Sequence, residues 1–141
     1  MWLLDTMVIS ELRKRVPDQN VVSWLSSTAE KDLYISVVTI SEIQRGIALQ
    51  RSIDAPFAER LQRWLDALMK NYSDRLLPIT SAIACRRGEL SARVGHDGAD
   101  VMIAATALQH GLSVATRNER HFSFFSVPIL NPYLNRRRTQ S

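Results

Sequence analysis

Short apolar segments alternate along this chain with longer stretches whose apolar residues recur every three or four positions. The short segments predict β-strands at residues 1–4, 33–36, 75–80, 112–116 and 127–130. The longer stretches predict α-helices at residues 7–15, 20–27, 39–51, 54–71, 81–94 and 97–110. Strands that alternate with helices pair in parallel through right-handed crossovers. The pattern therefore predicts an α/β fold, a three-layer α/β/α sandwich around a central, mainly parallel sheet.

The first strand runs directly into an acidic residue. Residues 1–4 form a continuous apolar run, which is typical of a central strand buried on both faces. In open α/β sheets, ligands bind in the crevice beyond the carboxyl ends of the strands. Asp5 follows the apolar run, and no structural role is evident for an acid at this position. We therefore expect Asp5 to lie in a functional crevice.

Two further acids are expected at the same edge of the sheet. Glu42 falls in the first turn of the helix after the second strand, and Asp100 in the first turn of the helix before the fourth. Both also fit a structural explanation, because Thr39-x-x-Glu42 matches a capping box and Asp97-x-x-Asp100 a looser version of it. If the acids meet instead, they offer the oxygen ligands that Mg²⁺ binds, and such a metal supports phosphodiester hydrolysis. Spacing alone leaves both explanations open.

The composition restricts the remaining possibilities. The 141 residues suit one domain, which we place at 1–133, followed by a basic, disordered tail at 134–141. The net charge of +4 is compatible with a nucleic-acid partner. The single cysteine, Cys85, excludes an internal disulfide and is expected to be a buried structural thiol. A cytoplasmic location is expected, because no signal peptide precedes Asp5 and no apolar run approaches the ~20 residues of a membrane helix.

Four short motifs together resemble those of the PIN-domain family. They are Leu-Leu-Asp-Thr at 3–6, Ser-Glu-Ile-x-x-Gly at 41–46, Asp-Val-Met-Ile-Ala-Ala-Thr-Ala at 100–107 and Thr-Arg-Asn-x-x-His-Phe at 116–122. The resemblance spans residues 1–132 and is strongest to the VapC and FitB-like toxin ribonucleases of bacterial type II toxin–antitoxin modules. It implies the toxin component of such a module, a metal-dependent endoribonuclease that uses Mg²⁺ or Mn²⁺.

The resemblance also implies roles for individual residues. It places the metal ligands at Asp5, Glu42 and Asp100, with His121 as a further catalytic residue. It places the substrate-binding residues at Thr6, Thr116, Arg117 and Asn118. Hydrolysis of RNA by metal-activated water would leave 5′-phosphate and 3′-hydroxyl ends. The implied partners are the RNA substrate, a second copy of the chain in a homodimer, and a VapB-like antitoxin. The toxin would contact operator DNA only through that antitoxin.

Two positions depart from the family pattern. Met7 stands where the family commonly has Asn or Ser, and its thioether cannot donate a hydrogen bond to a carboxylate. His121 replaces an acid, and its imidazole can ligate a metal, carry a proton or contact phosphate. We expect weaker metal binding than in a four-acid site, with activity retained. The alternative is a catalytically weak or silent PIN scaffold that binds RNA or an antitoxin-like protein.

The residues that follow Asp5 exclude two other enzyme classes. A haloacid-dehalogenase-type phosphotransferase also begins with an apolar strand that ends in Asp, but it needs a second Asp two residues later, where Met7 stands. A dinucleotide-binding oxidoreductase needs a glycine-rich turn after the first strand, and residues 5–8 contain no glycine. The competing hypotheses are therefore an active nuclease and a silent scaffold of the same fold.

Overall fold

Five parallel strands form the centre of the molecule. The computed structural model describes residues 1–134, so residues 135–141 of the predicted tail lie outside the described part of the chain. The strands are β1 (Trp2–Leu4), β2 (Leu33–Ser36), β3 (Leu76–Leu77), β4 (Ser113–Ala115) and β5 (Ile129–Leu130). Their order in the sheet is β3-β2-β1-β4-β5, and every neighbouring pair is parallel. The predicted parallel sheet with β1 at its centre is confirmed.

Helices cover both faces of this sheet. Within residues 1–134 they are α1 (Thr6–Glu11), α2 (Gln19–Ser27), α3 (Val37–Gln50), α4 (Ala55–Asn71), α5 (Ser81–Val94), α6 (Ala99–His110) and α7 (Glu119–Ser123). One 3-10 turn, Glu30–Asp32, leads into β2. The predicted α/β/α sandwich is therefore confirmed. No helix in this part of the chain is long and apolar enough to cross a bilayer.

Two hydrophobic clusters fill the space between the sheet and the helices. Leu3 of β1 and Val114 of β4 pack into a cluster that includes Ile103 of α6. Leu4, the next residue of β1, packs into the other cluster with Val8 of α1. Successive side chains of a strand point to opposite faces, so β1 contributes to both clusters. Burial on both faces explains the continuous apolar run at the start of the chain.

Three local features differ from the sequence prediction. Helix α1 ends at Glu11 instead of residue 15, because the next three backbone N–H groups bond to carbonyls only three residues earlier and form a tight turn. Strand β3 has two residues instead of six, since Pro78 follows it and has no N–H to offer a neighbouring strand. Helix α7 was not predicted, because five residues are too few to show helical periodicity.

Cys85 is exposed, so the prediction of a buried thiol is wrong. The buried residues of α5 are Ile83 and Leu90, two helical turns apart on one face. Cys85 lies on a different face of the same helix, which points to solvent.

Candidate active site at the carboxyl edge of the sheet

Asp5 occupies the turn between β1 and α1 and holds both elements. Its backbone N–H donates to the Ala115 carbonyl of β4 at 3.0 Å. Its Oδ1 accepts a hydrogen bond of 2.9 Å from the Thr6 N–H, which makes Asp5 the N-cap of α1. Its Oδ2 accepts a bond of 2.8 Å from the Thr116 hydroxyl. Asp5 therefore does have a structural role, contrary to the sequence analysis, and it also faces the crevice beyond β1.

The surroundings of Asp5 disfavour its negative charge. Asp5 is only 7% exposed. The pKa of its carboxyl is raised, chiefly because burial penalises the ionised form. The hydrogen bonds from Thr116 and Thr6 oppose this rise in pKa, whereas the negative charges of Glu42 and Asp100 add to it. Glu42 and Asp100 are thus each near enough to Asp5 to repel its charge, and a cation beside Asp5 would relieve that repulsion.

Glu42 comes from α3, on the β2 side of Asp5. Ser36 caps α3, because its hydroxyl accepts from the Val38 N–H at 3.1 Å. The helix therefore begins earlier than predicted, Glu42 lies in its second turn, and the capping-box explanation for Thr39-x-x-Glu42 is wrong. The Thr6 hydroxyl donates to Glu42 Oε1 at 2.6 Å. This bond between α1 and α3 fixes the Glu42 carboxylate at the rim of the crevice.

Asp100 lies in the first turn of α6, as predicted. The N-cap of this helix is Gly98, which has no side chain, so the predicted capping role of Asp97 is wrong. Asp97 instead forms an exposed ion pair with Arg87, at 3.3 Å. A Cβ atom at position 98 would lie 2.9 Å from Asp100 Oδ1, so the glycine leaves the space that the Asp100 carboxylate occupies.

His121 and Asn118 come from the segment that follows β4. His121 Nδ1 lies 4.0 Å from Asp100 Oδ2, and the imidazole is 65% exposed. The Asn118 backbone N–H donates to the Thr116 hydroxyl at 2.9 Å, while its side-chain Nδ2 lies 3.7 Å from Met7 Sδ. The thioether of Met7 is thus paired with an amide of the crevice wall. The structure brings every predicted site residue from β1, α1, α3, α6 and the β4–α7 segment to one edge of the sheet.

Asp5, Glu42 and Asp100 lie at this edge, but their carboxylates are not close enough together to surround a metal ion. Within residues 1–134, no group of three or more His, Cys, Asp or Glu side chains is close enough together to hold a metal ion. Glu42 is held towards Thr6, and Asp100 lies beside His121. The donors are nevertheless all carboxylate oxygens on short or flexible side chains, which is the chemistry that a hard divalent cation takes.

Most of this architecture, from β1 to α7, matches one family of proteins. The sequence profile of the PIN domain matches residues 2–126. The chain belongs to the PIN-domain family. This confirms the resemblance that the four motifs indicated.

Relatives of this PIN domain match it from end to end. Toxin FitB of Neisseria gonorrhoeae is 34% identical over 143 residues, covering 94% of this chain and 99% of FitB. Plasmid stability protein StbB of Pseudomonas syringae pv. tomato is 35% identical over 146 residues, covering 94% of this chain and 99% of StbB. VapC ribonuclease Y4jK of Sinorhizobium fredii is 34% identical over 143 residues, covering 94% and 98%.

Solved structures show the same fold at comparable identity. The crystal structure of FitAcB from Neisseria gonorrhoeae superposes with a TM-score of 0.85 at 34% identity, over 96% of this chain and 100% of that one. A structure of FitAB bound to a DNA fragment gives a TM-score of 0.78 at 32% identity, over 96% and 97%. The five-stranded sheet and its flanking helices are therefore those of a PIN domain.

The PIN domain contains one buried acid, Glu11, whose role was not predicted from the sequence. Glu11 is 4% exposed and accepts hydrogen bonds from the Asp18 N–H at 2.8 Å, the Tyr133 hydroxyl at 2.9 Å and Lys14 Nζ at 3.0 Å. Burial alone would raise the pKa of Glu11, but these hydrogen bonds and the Lys14 charge outweigh it and lower the pKa. The signal in the sequence was a charged residue three positions after Val8, on the apolar face of α1.

Tyr133 is a second residue whose contacts were not predicted from the sequence. Its hydroxyl reaches Glu11, and the guanidinium of Arg117 lies 5.0 Å from the centre of its ring. Burial, followed by the hydrogen bond to Glu11, raises the pKa of this phenol, so it remains protonated and can donate. A lone tyrosine after Pro132 has no sequence pattern that would have predicted these contacts.

Proposed function

We propose that this PIN domain is the toxin of a type II toxin–antitoxin module and a metal-dependent endoribonuclease. The observation that carries the proposal is the buried carboxylate of Asp5 at the end of the central strand, where the charges of Glu42 and Asp100 raise its pKa further. Two full-length relatives support the same function, since one is named a toxin and the other a VapC ribonuclease.

Asp5, Glu42 and Asp100 are the residues that would hold the cation, Mg²⁺ or Mn²⁺. They supply carboxylate oxygens from three different parts of the fold, and the repulsion that Glu42 and Asp100 exert on Asp5 favours a positive charge beside it. A bound divalent cation would polarise a phosphoryl oxygen and activate water for attack on the phosphodiester.

The other site residues support this chemistry in distinct ways. Thr116 is fully buried, so its hydroxyl orients Asp5 and does not reach the substrate directly. Thr6 holds Glu42 in the same manner. Arg117 is exposed and would contact a phosphate of the RNA strand, and Asn118 would line the crevice beside it. His121, at the mouth beside Asp100, is placed to exchange a proton with solvent during hydrolysis to 5′-phosphate and 3′-hydroxyl ends.

The partners follow from the relatives. FitAB has been solved bound to a DNA fragment, which supports an antitoxin that carries the operator-binding function. We propose a VapB-like antitoxin for this chain, a homodimer of the toxin, and operator DNA contact through the antitoxin alone. Light scattering on the purified chain should give the mass of two copies, and co-expression with the antitoxin should suppress RNA cleavage.

A silent scaffold is the second candidate. The observations that favour it are the Met7 thioether, which pairs with Asn118, and the absence of a closed metal-ligand group within residues 1–134. Such a protein would bind RNA or an antitoxin-like partner through the same edge of the sheet without cutting the strand.

RNA cleavage by the wild type and by Asp5→Asn, each with Mg²⁺, Mn²⁺ or EDTA, separates the two candidates. Asparagine is as good an N-cap as aspartate, so α1 should be preserved. We expect cleavage only by the wild type and only with a divalent cation. Cleavage that persists in EDTA and in Asp5→Asn would overturn the metal mechanism. RNA binding without cleavage under every condition would support the scaffold.

A further inference from the structure

Tyr133 is held by three hydrogen bonds, since its single hydroxyl proton goes to the nearer of two acceptors. Its hydroxyl lies 2.9 Å from Glu11 Oε2 and 3.2 Å from the Met7 carbonyl. Its N–H donates to Asn131 Oδ1 at 3.0 Å, and its carbonyl accepts from Asn20 Nδ2 at 2.7 Å. Hydrogen bonds therefore hold both the side chain and the backbone of Tyr133.

The Glu11 carboxylate that accepts from Tyr133 is itself held by further hydrogen bonds. Glu11 is buried and accepts from the Asp18 N–H, which belongs to the N-cap residue of α2. It also accepts from Lys14, which balances its charge. The Tyr133 hydroxyl therefore donates to a carboxylate that connects α1 with the start of α2. The same hydroxyl also lies beside the backbone carbonyl of Met7.

Arg117 rests on this ring at the mouth of the site. Its guanidinium carbon lies 5.0 Å from the ring centre, and none of the ion pairs found within residues 1–134 includes it. Arg117 directly follows Thr116, whose hydroxyl holds Asp5. A guanidinium that stacks on an aromatic face keeps its N–H donors free for an anion, and fewer of its rotamers remain to be lost on binding.

We propose that Tyr133 is a positioning residue that holds Arg117 where it binds a phosphate group of the RNA strand, and that Glu11 fixes Tyr133 for this task. The inference rests on the proposed function, because the phosphate belongs to the RNA substrate. Arg117 makes the contact, and Tyr133 determines where that contact is available.

The test measures binding of a labelled single-stranded RNA to the full chain carrying Asp5→Asn, which prevents cleavage. Affinity is followed by fluorescence anisotropy from about 50 to about 200 mM salt, since removing one cation–phosphate interaction lowers the slope of log K against log salt by about 0.7. Arg117→Gln should show this decrease. Tyr133→Leu should show the same decrease with Arg117 still present, and the double variant should lose nothing more.

Two matched variants control for charge and for folding. Arg63→Gln removes one exposed cation from α4, and we expect the salt slope to stay at its parent value. Tyr133→Phe keeps the ring and removes the hydroxyl, so it should lower the affinity about two- to threefold while the slope stays close to that of the parent. An unchanged affinity in Tyr133→Phe would overturn the role of Glu11.

Kinetics on the chain with Asp5 intact give a second readout. Tyr133→Leu should raise KM about tenfold and lower kcat much less, because the interaction it weakens forms in the ground state as well as in the transition state. The proposal would be overturned if Tyr133→Leu and Arg117→Gln each lowered kcat/KM equally and the double variant showed the sum of the two losses in free energy. Such additivity would mean that the two residues act independently.

The outcomes separate this inference from the proposed function. If the wild type cleaves RNA and Tyr133→Leu keeps the parent salt slope, the positioning role is wrong and the nuclease stands. If Arg63→Gln lowers the slope as much as Arg117→Gln, the effect is one of net charge and the positioning role is again wrong. If the wild type neither binds nor cleaves RNA, both proposals are wrong.

Discussion

The Thr116 hydroxyl donates a buried hydrogen bond of 2.8 Å to Asp5 Oδ2 and so ties the end of β4 to the end of β1. The same hydroxyl accepts from the Asn118 N–H at 2.9 Å. One side chain therefore fixes both the central carboxylate and the segment that carries Arg117 and His121. Loss of that hydroxyl should affect stability and activity together.

We expect Thr116→Val, which is nearly isosteric, to lower the free energy of unfolding by about 1–3 kcal/mol, because it leaves buried partners unpaired. RNA cleavage should fall about 10- to 100-fold, as is usual when a residue that orients a metal ligand is lost. Urea unfolding and initial cleavage rates measure the two effects. Thr116→Ser keeps the hydroxyl and should retain most of both, whereas equal behaviour of the two variants would contradict this role.

The raised pKa of Asp5 predicts how stability depends on pH. Between its ordinary pKa of 3.8 and its raised folded-state pKa, the folded chain binds more protons than the unfolded chain, so Asp5 contributes stability at low pH that is lost as the pH rises through the folded pKa. Asp5→Asn removes this ionisation. Its melting temperature should therefore exceed that of the wild type at neutral pH, and the difference should shrink as the pH falls towards about 4.

The measurement is the melting temperature of the wild type and of Asp5→Asn across this pH range, first in EDTA and then with a divalent cation. A divalent cation should raise the melting temperature of the wild type alone, because a ligand that binds only the folded state stabilises it. A melting temperature of Asp5→Asn below that of the wild type at neutral pH would show that the N-cap and Thr116 bonds outweigh the cost of the charge.

His121→Asp should strengthen metal binding. The imidazole lies 4.0 Å from the Asp100 carboxylate, so an acid at this position would add a fourth negative charge to the crevice. We expect about tenfold tighter binding of Mg²⁺, measured by calorimetry. His121→Gln changes size and donors without adding charge and should bind Mg²⁺ no more tightly than the wild type. Equal affinities of His121→Asp and His121→Gln would show that position 121 does not face the metal.

Glu11 should stabilise the fold at neutral pH and lose this effect in acid. Its pKa is lowered from 4.5, so its contribution is present above that value and disappears as the pH falls through the lower, folded-state pKa. Glu11→Gln should be less stable than the wild type at neutral pH, by about 1–3 kcal/mol in urea unfolding, and the difference should narrow below about pH 4. Glu59→Gln, at an exposed ion pair of α4, should change stability little at any pH.

The sequence by itself determined the class of fold and the family. The apolar run before Asp5 and the alternation of strands with helices were enough to predict a parallel sheet with β1 at its centre, because strand burial and helix periodicity are local patterns. The four motifs then indicated the PIN-domain family. The strand–helix pattern had already pointed to the three acids, since parallel strands deliver their carboxyl ends to one edge of the sheet.

Only the tertiary structure decided what each of these residues does there. Asp5 caps α1, and Ser36 and Gly98 cap the helices that carry Glu42 and Asp100. The capping boxes that the sequence left open as an alternative are absent from those two helices. Thr6 meets Glu42 across 36 residues, and Glu11 meets Tyr133 across 122. Such contacts depend on how whole elements pack, and packing brings together side chains between which the sequence shows no periodic or local relation.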